Sequence, residues 1–221
     1  MSSNQKSQNK LKLKQSVKDI LLFFGGFNDS DLDWIVANGQ VKEIAADKTL
    51  IAENGRADSL YILLEGEVSL VKNNSDSNPL ARIFAKIEET QVAGVEISRL
   101  SKGGIVGESQ FVGDELPFLT ATTTQYSKVL ELSSQKLTVK IEQDWGFAAR
   151  FYQNLAILFS DRLQALLTRL GYSNSIYSAG RSLGEDANYD LELSSLGLEQ
   201  ISLAGERFNW MLKRLENSVL L

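Results

Sequence analysis

The sequence predicts a mainly β fold, an antiparallel β jelly roll with flanking helices, and three observations predict it. Between Val41 and Leu132 short apolar runs recur at regular spacing, separated by turn signals at Asp47-Lys48, Asn54-Gly55, Gly66, Asn73 to Pro79 and Lys102-Gly104. In one of these runs Leu60, Ile62 and Leu64 alternate with Tyr61 and Leu63. Val68 and Leu70 then alternate with Ser69, so two short strands meet at Gly66 in a tight corner of an antiparallel sheet. On either side of this region apolar residues recur every three or four positions, the helical period.

In chain order, residues 1–10 are rich in Ser, Asn, Gln and Lys and read as a flexible tail, because they cannot bury enough surface to offset ordering entropy. From Leu11, residues Leu13, Val17, Ile20, Leu21 and Phe24 fall on one face of a basic amphipathic helix that Gly25-Gly26 ends. Packing on the domain's own core is the commoner fate of such a helix, and an anionic membrane surface is the alternative. Asn28 or Ser30 can cap a second helix running through Leu32, Trp34, Ile35 and Val36 to Asn38-Gly39.

Within the strand region, Leu80 to Ala85 and Val92 to Leu100 form an expected hairpin, with a turn glycine at Gly55 earlier in the run. After the strands, Ala148, Tyr152, Leu155, Phe159, Leu163, Leu166 and Leu170 mark a long amphipathic helix over 145–170. Its stripe can pack on the domain itself or against a second copy in a homodimer. Residues 172–197 are small and polar and read as a linker. A helix over 198–221 follows, with Leu198, Ile201, Phe208, Leu212 and Leu215 on one face as candidate docking positions for a partner. Folding back onto the domain is the competing reading. Gly205 on that face either weakens the helix or admits another backbone. The expected organisation is thus one domain over 11–171, a linker and a tethered helix.

Composition narrows the function. The 221 residues contain no cysteine and no histidine, which excludes disulfides, thiolate nucleophiles, Ser-His-Asp triads and most zinc sites. Carboxylate pairs such as Glu65 with Glu67 and Glu88 with Glu89 read as solvated charges, so no catalytic site and no metal site is expected. The net charge of −5 gives no overall footprint for nucleic acid. No apolar run reaches the roughly 18–20 residues of a membrane span, and a cytoplasmic protein is expected.

Gly55, Asp58, Tyr61, Leu63, Gly66 and Val68 stand at the spacing of the cyclic-nucleotide-binding domain family, and from Phe23 to Gly171 the chain resembles that family. Gly107-Glu108, the short helical stretch Ser109 to Val112 and the strand start Ala121-Thr122-Thr123 resemble its phosphate-binding cassette. The resemblance implies an arginine two residues before the Ala-Thr step, forked onto the cyclic phosphate. Leu119 stands there instead, beside Phe118, and no arginine or lysine occurs from Gly103 to Ser127. The resemblance makes Glu108 the ribose hydroxyl acceptor, and without a neighbouring cation it would repel an anion.

Two readings of this cassette remain. Phe118 and Leu119 fill the former pocket, or the amides after Gly107, with the hydroxyls of Ser109, Thr120, Thr122 and Thr123, hold a cyclic nucleotide or dinucleotide without arginine. The family's transcription factors carry a helix-turn-helix after the long helix, whereas this chain carries a polar linker and one weakly charged helix, so DNA binding is not expected. The expectation is a stand-alone, non-enzymatic regulatory or adaptor module with no required cofactor, acting on an unidentified protein partner. A cyclic-nucleotide receptor with an unusual pocket and a peripheral membrane or scaffold protein are the alternatives.

Overall fold

The computed structural model describes residues 20, 23–73, 94–113, 116–169 and 195–218. The expected tail over 1–10, the linker over 172–194, the strand over Leu80 to Ala85 and most of the first helix lie outside them. Of that helix, Ile20, Phe23 and Phe24 are described, and both phenylalanines are buried. Helix α1 spans Asp29–Asn38. Asn28 rather than Ser30 caps it: the Asn28 side chain accepts from the Asp31 amide at 2.9 Å, and the Asp31 carboxylate accepts from the Asn28 amide at 2.9 Å.

Eight strands follow: β1 (Gln40–Ile44), β2 (Thr49–Ile51), β3 (Ser59–Glu65), β4 (Val68–Lys72), β5 (Val95–Leu100), β6 (Ile105–Val106), β7 (Thr120–Thr123) and β8 (Ser127–Ser133). They form two antiparallel four-stranded sheets, ordered β1-β8-β3-β6 and β2-β7-β4-β5. The expected jelly roll is present, with one correction. β3 and β4 do not pair across Gly66 but belong to opposite sheets, so the glycine is a corner between layers. Gly66 has φ +99°, and a Cβ there would lie 2.2 Å from the Ser127 hydroxyl and 2.7 Å from its Cα. At the other predicted glycine turn the left-handed residue is Asn54, with φ +57°, not Gly55. β5 pairs with β4, from Val68 opposite Leu100 to Lys72 opposite Val95.

The alternation in β3 serves two cores. Leu60, Ile62 and Leu64 face the helices, whereas Leu63 and the partly buried Tyr61 face the opposite sheet together with Val68, Leu70, Ala121 and Val129. A sheet covered on both faces needs apolar residues at nearly every position, which is why the run from Leu60 to Leu64 has no polar side.

Helices α2 (Ser134–Gln143), α3 (Trp145–Arg169) and α4 (Ser195–Ser218) complete the chain. Phe147, Phe151, Leu155 and Leu158 of α3 join Phe23, Phe24, Phe27 and Leu32 in the helix-side core. The buried face of α3 is therefore rotated by about a quarter turn from the expected stripe. Leu155 of that stripe is buried and Phe159 partly so, but Tyr152 is 43% and Leu163 57% exposed. A stripe with apolar residues on two adjoining faces does not announce which face is covered.

The expected tethered helix is also corrected. Ala204 of α4 is buried, and Phe208, Met211 and Leu215 join the same core, with Leu212 packed against it and the Phe208 ring 5.1 Å from that of Phe24. Phe208, Leu212 and Leu215 are thus engaged within the chain rather than presented to a partner, because burying an aromatic ring of this size is strongly favourable. The side chains of Leu198 and Ile201 lie outside the described residues. A Cβ at Gly205 would meet no described atom within 4 Å, so the glycine admits no close backbone. No helix among the described residues is long and apolar enough to cross a membrane.

Candidate functional site

The site begins where β6 ends. Gly107 has φ +91°, and a Cβ on it would lie 2.4 Å from the Ser59 carbonyl oxygen, so a side chain there would clash with β3. The turn delivers Glu108, 7% exposed, and a short 3-10 helix over Ser109–Phe111. Gln110 pins this segment: its side-chain amide donates to the Gly107 carbonyl at 2.7 Å and accepts from the Ser134 hydroxyl at the start of α2, also at 2.7 Å. Phe111 sets its ring edge-on to Phe151 of α3, 5.5 Å away. The cassette is thereby tied to both helices that follow the sheets.

A cavity of about 680 Å³ opens above this segment, lined by Gly107, Glu108 and Ser109 from the turn, Leu119 and Ala121 from the β7 edge, and Phe159 and Arg162 from α3. Phe118 and Leu119 do not plug it. Both line it, and Phe118 is 59% exposed. Thr120 and Thr122 do not line it. Along β7 successive side chains point to opposite faces, so Ala121 faces inward between two outward threonines. The Thr120 hydroxyl accepts from the Glu53 amide at 3.1 Å and the Asn73 side chain at 3.0 Å, and Thr122 lies against Thr49. Thr123 points inward but donates to the Ala45 carbonyl at 2.7 Å, outside the cavity. Of the four hydroxyls expected to aid anion binding, the structure brings only Ser109 to the cavity wall.

The cation missing from the cassette arrives from α3. Arg162 donates through Nη1 to the Glu108 carboxylate and through Nη2 to the Ile105 carbonyl at 2.8 Å. This corrects the expectation that Glu108 faces an incoming anion without a positive neighbour. The pair is largely shielded, with 25% of the Arg162 side chain and 9% of the Glu108 side chain exposed, so each charge depends on the other for solvation. Arg162 was legible only with the correct helix face, since it follows Phe147, Phe151, Leu155 and Leu158 around the buried side.

Two further ion pairs hold the frame. Arg150 grips the buried Asp31 carboxylate with two parallel bonds of 2.6 and 2.8 Å, fixing α3 to α1, and this contact raises the Arg150 pKa. At the end of β4, Lys72 and the Asn73 amide hold the Glu53 carboxyl below its ordinary pKa, with burial acting in the opposite sense.

Residues 41–144 match the family model of the cyclic nucleotide-binding domain. A cyclic nucleotide-binding domain from Methylobacillus flagellatus KT shares the fold, with a TM-score of 0.56 at 18% identity over 72% of this chain and 83% of that one. A candidate cyclic nucleotide-binding protein from Geobacter metallireducens GS-15 aligns with a TM-score of 0.50 at 22% identity, covering 64% of this chain and 91% of that one. At these identities the likeness is one of fold. No curated protein matches the chain in sequence.

Proposed function

From the premise that residues 41–144 belong to the cyclic nucleotide-binding domain family, we propose that this chain is a non-enzymatic regulatory module that does not hold cyclic AMP in the family's usual way and acts through protein contacts. One observation carries the reading: at the place where a phosphate-clamping arginine is expected stands Leu119, and the arginine that does reach the cavity, Arg162, is already engaged by Glu108 and the Ile105 carbonyl. An incoming cyclic phosphate would have to detach Arg162 and leave a shielded carboxylate unpaired. That penalty typically runs to about 3–5 kcal/mol for a buried pair and is smaller where solvent still reaches one partner.

Support for action through protein contacts comes from α3, whose outer face carries Trp145, Tyr152, Leu163 and Leu167, between 39% and 86% exposed. These positions fall on one side of the helix and suit a second copy of the chain or another protein. The cavity-lining Phe159 and Arg162 lie on the same helix, so a change in the cavity would be felt by that surface.

Isothermal titration of the full chain with cyclic AMP, cyclic GMP and cyclic di-GMP tests the reading. No heat of binding from any of the three is expected. Saturable binding of one of them would replace this reading with that of a cyclic-nucleotide receptor whose Arg162 changes partner.

A further inference from the structure

We propose that the cavity is a binding site for an uncharged, largely apolar small molecule. The inference rests on the reading of the chain as a regulatory module of this family and names what its pocket takes.

The charges in the wall cancel before any ligand arrives. Among the described residues, Arg162 and Glu108 are the charged side chains in the lining, and they are bonded to each other. An anion would compete with Glu108 and a cation with Arg162, each leaving a shielded charge unpaired. A neutral molecule leaves the pair intact.

Ser109 apart, the remaining described side chains of the lining are apolar, Ile51, Leu70, Val106, Val112, Leu119 and Phe159 among them. At the position where the family pattern places a cation, Leu119 adds apolar surface instead. A volume of about 680 Å³ falls within the roughly 300–1,000 Å³ of small-molecule pockets, which are mostly apolar with a few placed polar groups. Here the polar groups are the Ser109 hydroxyl and the outer edge of the ion pair.

The rim points the same way. Val112 is 58% and Phe118 59% exposed although both line the cavity. Large apolar side chains left in water at the mouth of an apolar cavity gain by being covered, and a ligand seated against them supplies that cover.

Fluorescence titration of the full chain with two near-identical probes tests the inference. N-phenyl-1-naphthylamine is uncharged, and 8-anilino-1-naphthalenesulfonate differs from it chiefly by a sulfonate. The neutral probe is expected to saturate one site per chain and to bind about tenfold or more tightly than its sulfonated relative. Leu119→Trp, which fills the cavity, and Val112→Asp, which changes only the exposed rim and cannot disturb the core, should each weaken the neutral probe by about tenfold. Val139→Ser on the exposed side of α2, outside the cavity lining, should leave it unchanged.

Absence of saturable binding of the neutral probe overturns the inference. So does binding that ignores both cavity variants, or a preference for the sulfonated probe. A parallel titration with cyclic AMP separates the two levels of the argument. If neither the neutral probe nor cyclic AMP binds, the ligand class is wrong while the proposed function stands. If cyclic AMP binds, the proposed function fails, and the ligand class fails with it.

Discussion

Arg162 and Glu108, separated by 54 residues in the chain, form an ion pair at the end of the cavity, and Arg162 also donates to the Ile105 carbonyl in the strand just before the cassette. The contact joins α3 to the cassette turn through three charged or carbonyl groups that have little other access to solvent.

Arg162→Ala is therefore expected to destabilise the chain by about 1–3 kcal/mol, less than a fully buried pair would lose because part of the guanidinium is exposed. Adding Glu108→Gln removes the orphaned charge and should recover part of the loss. Urea denaturation of both single variants and the double variant closes the cycle. Additive losses would mean that the two side chains do not depend on each other.

Leu119→Arg places a cation on the cavity wall that is not already engaged by Glu108. Since the cavity is open, the variant is expected to gain at least about tenfold in cyclic AMP affinity by calorimetry, through a charge-assisted contact with the phosphate. An unchanged isotherm would mean that the cavity's shape, not its charge, excludes the nucleotide.

Gly66 and Gly205 should respond to alanine with opposite signs. Gly66→Ala forces a side chain into a left-handed conformation against Ser127 and is expected to cost at least about 1–3 kcal/mol. Gly205→Ala adds a methyl group to open space within α4 and should stabilise by about 0.5–1 kcal/mol. Thermal melts of the two variants read both signs directly.

Stability should fall in acid partly through Glu53. Lys72 and the Asn73 amide lower its pKa in the folded chain, so the unfolded chain takes up this proton first. The contribution is present above the ordinary glutamate value of about 4.3 and is lost as pH falls from there through the lowered folded value. Melting temperature measured between pH 7 and pH 3 is expected to drop less steeply in that acid window for Glu53→Gln than for the parent chain.

The outer face of α3 predicts self-association or capture of another chain. Leu163, 57% exposed, is a position where a charge costs the monomer little and an apolar interface much. If the chain pairs through this face, Leu163→Glu should shift the sedimentation coefficient from dimer to monomer without lowering the melting point at high dilution. A parent chain that sediments as a monomer at all concentrations would leave the face to a different protein.

Much of the architecture was legible in the residues themselves. The alternation from Leu60 to Leu70, the glycines of the turns and the cap at Asn28 are local signals, because strand period, φ sign and an unsatisfied helix amide depend on near neighbours in the chain. Gly107, Glu108, Leu119 and Ala121 were placed at the site by the resemblance of their segments to the family's cassette, and all four line the cavity.

What the local signals could not carry was the choice among faces and partners. Thr120 and Thr122 looked like ligand groups beside Ala121, yet the pleat turns both away from the cavity. The apolar stripe of α3 spans two faces, and only packing against Phe23, Phe27 and Phe111 determines which is buried and so that Arg162 points at Glu108. Phe208 and Leu215 could equally have met a partner until α4 was laid against Phe24 and Leu32. Strands and turns could be read from spacing within the chain, and the lost cassette cation from comparison with the resembled family's pattern. That a cation returns from a helix 54 residues away emerges only on folding, because contacts between distant segments depend on how amphipathic faces are shared out across the whole core, not on spacing within any one of them.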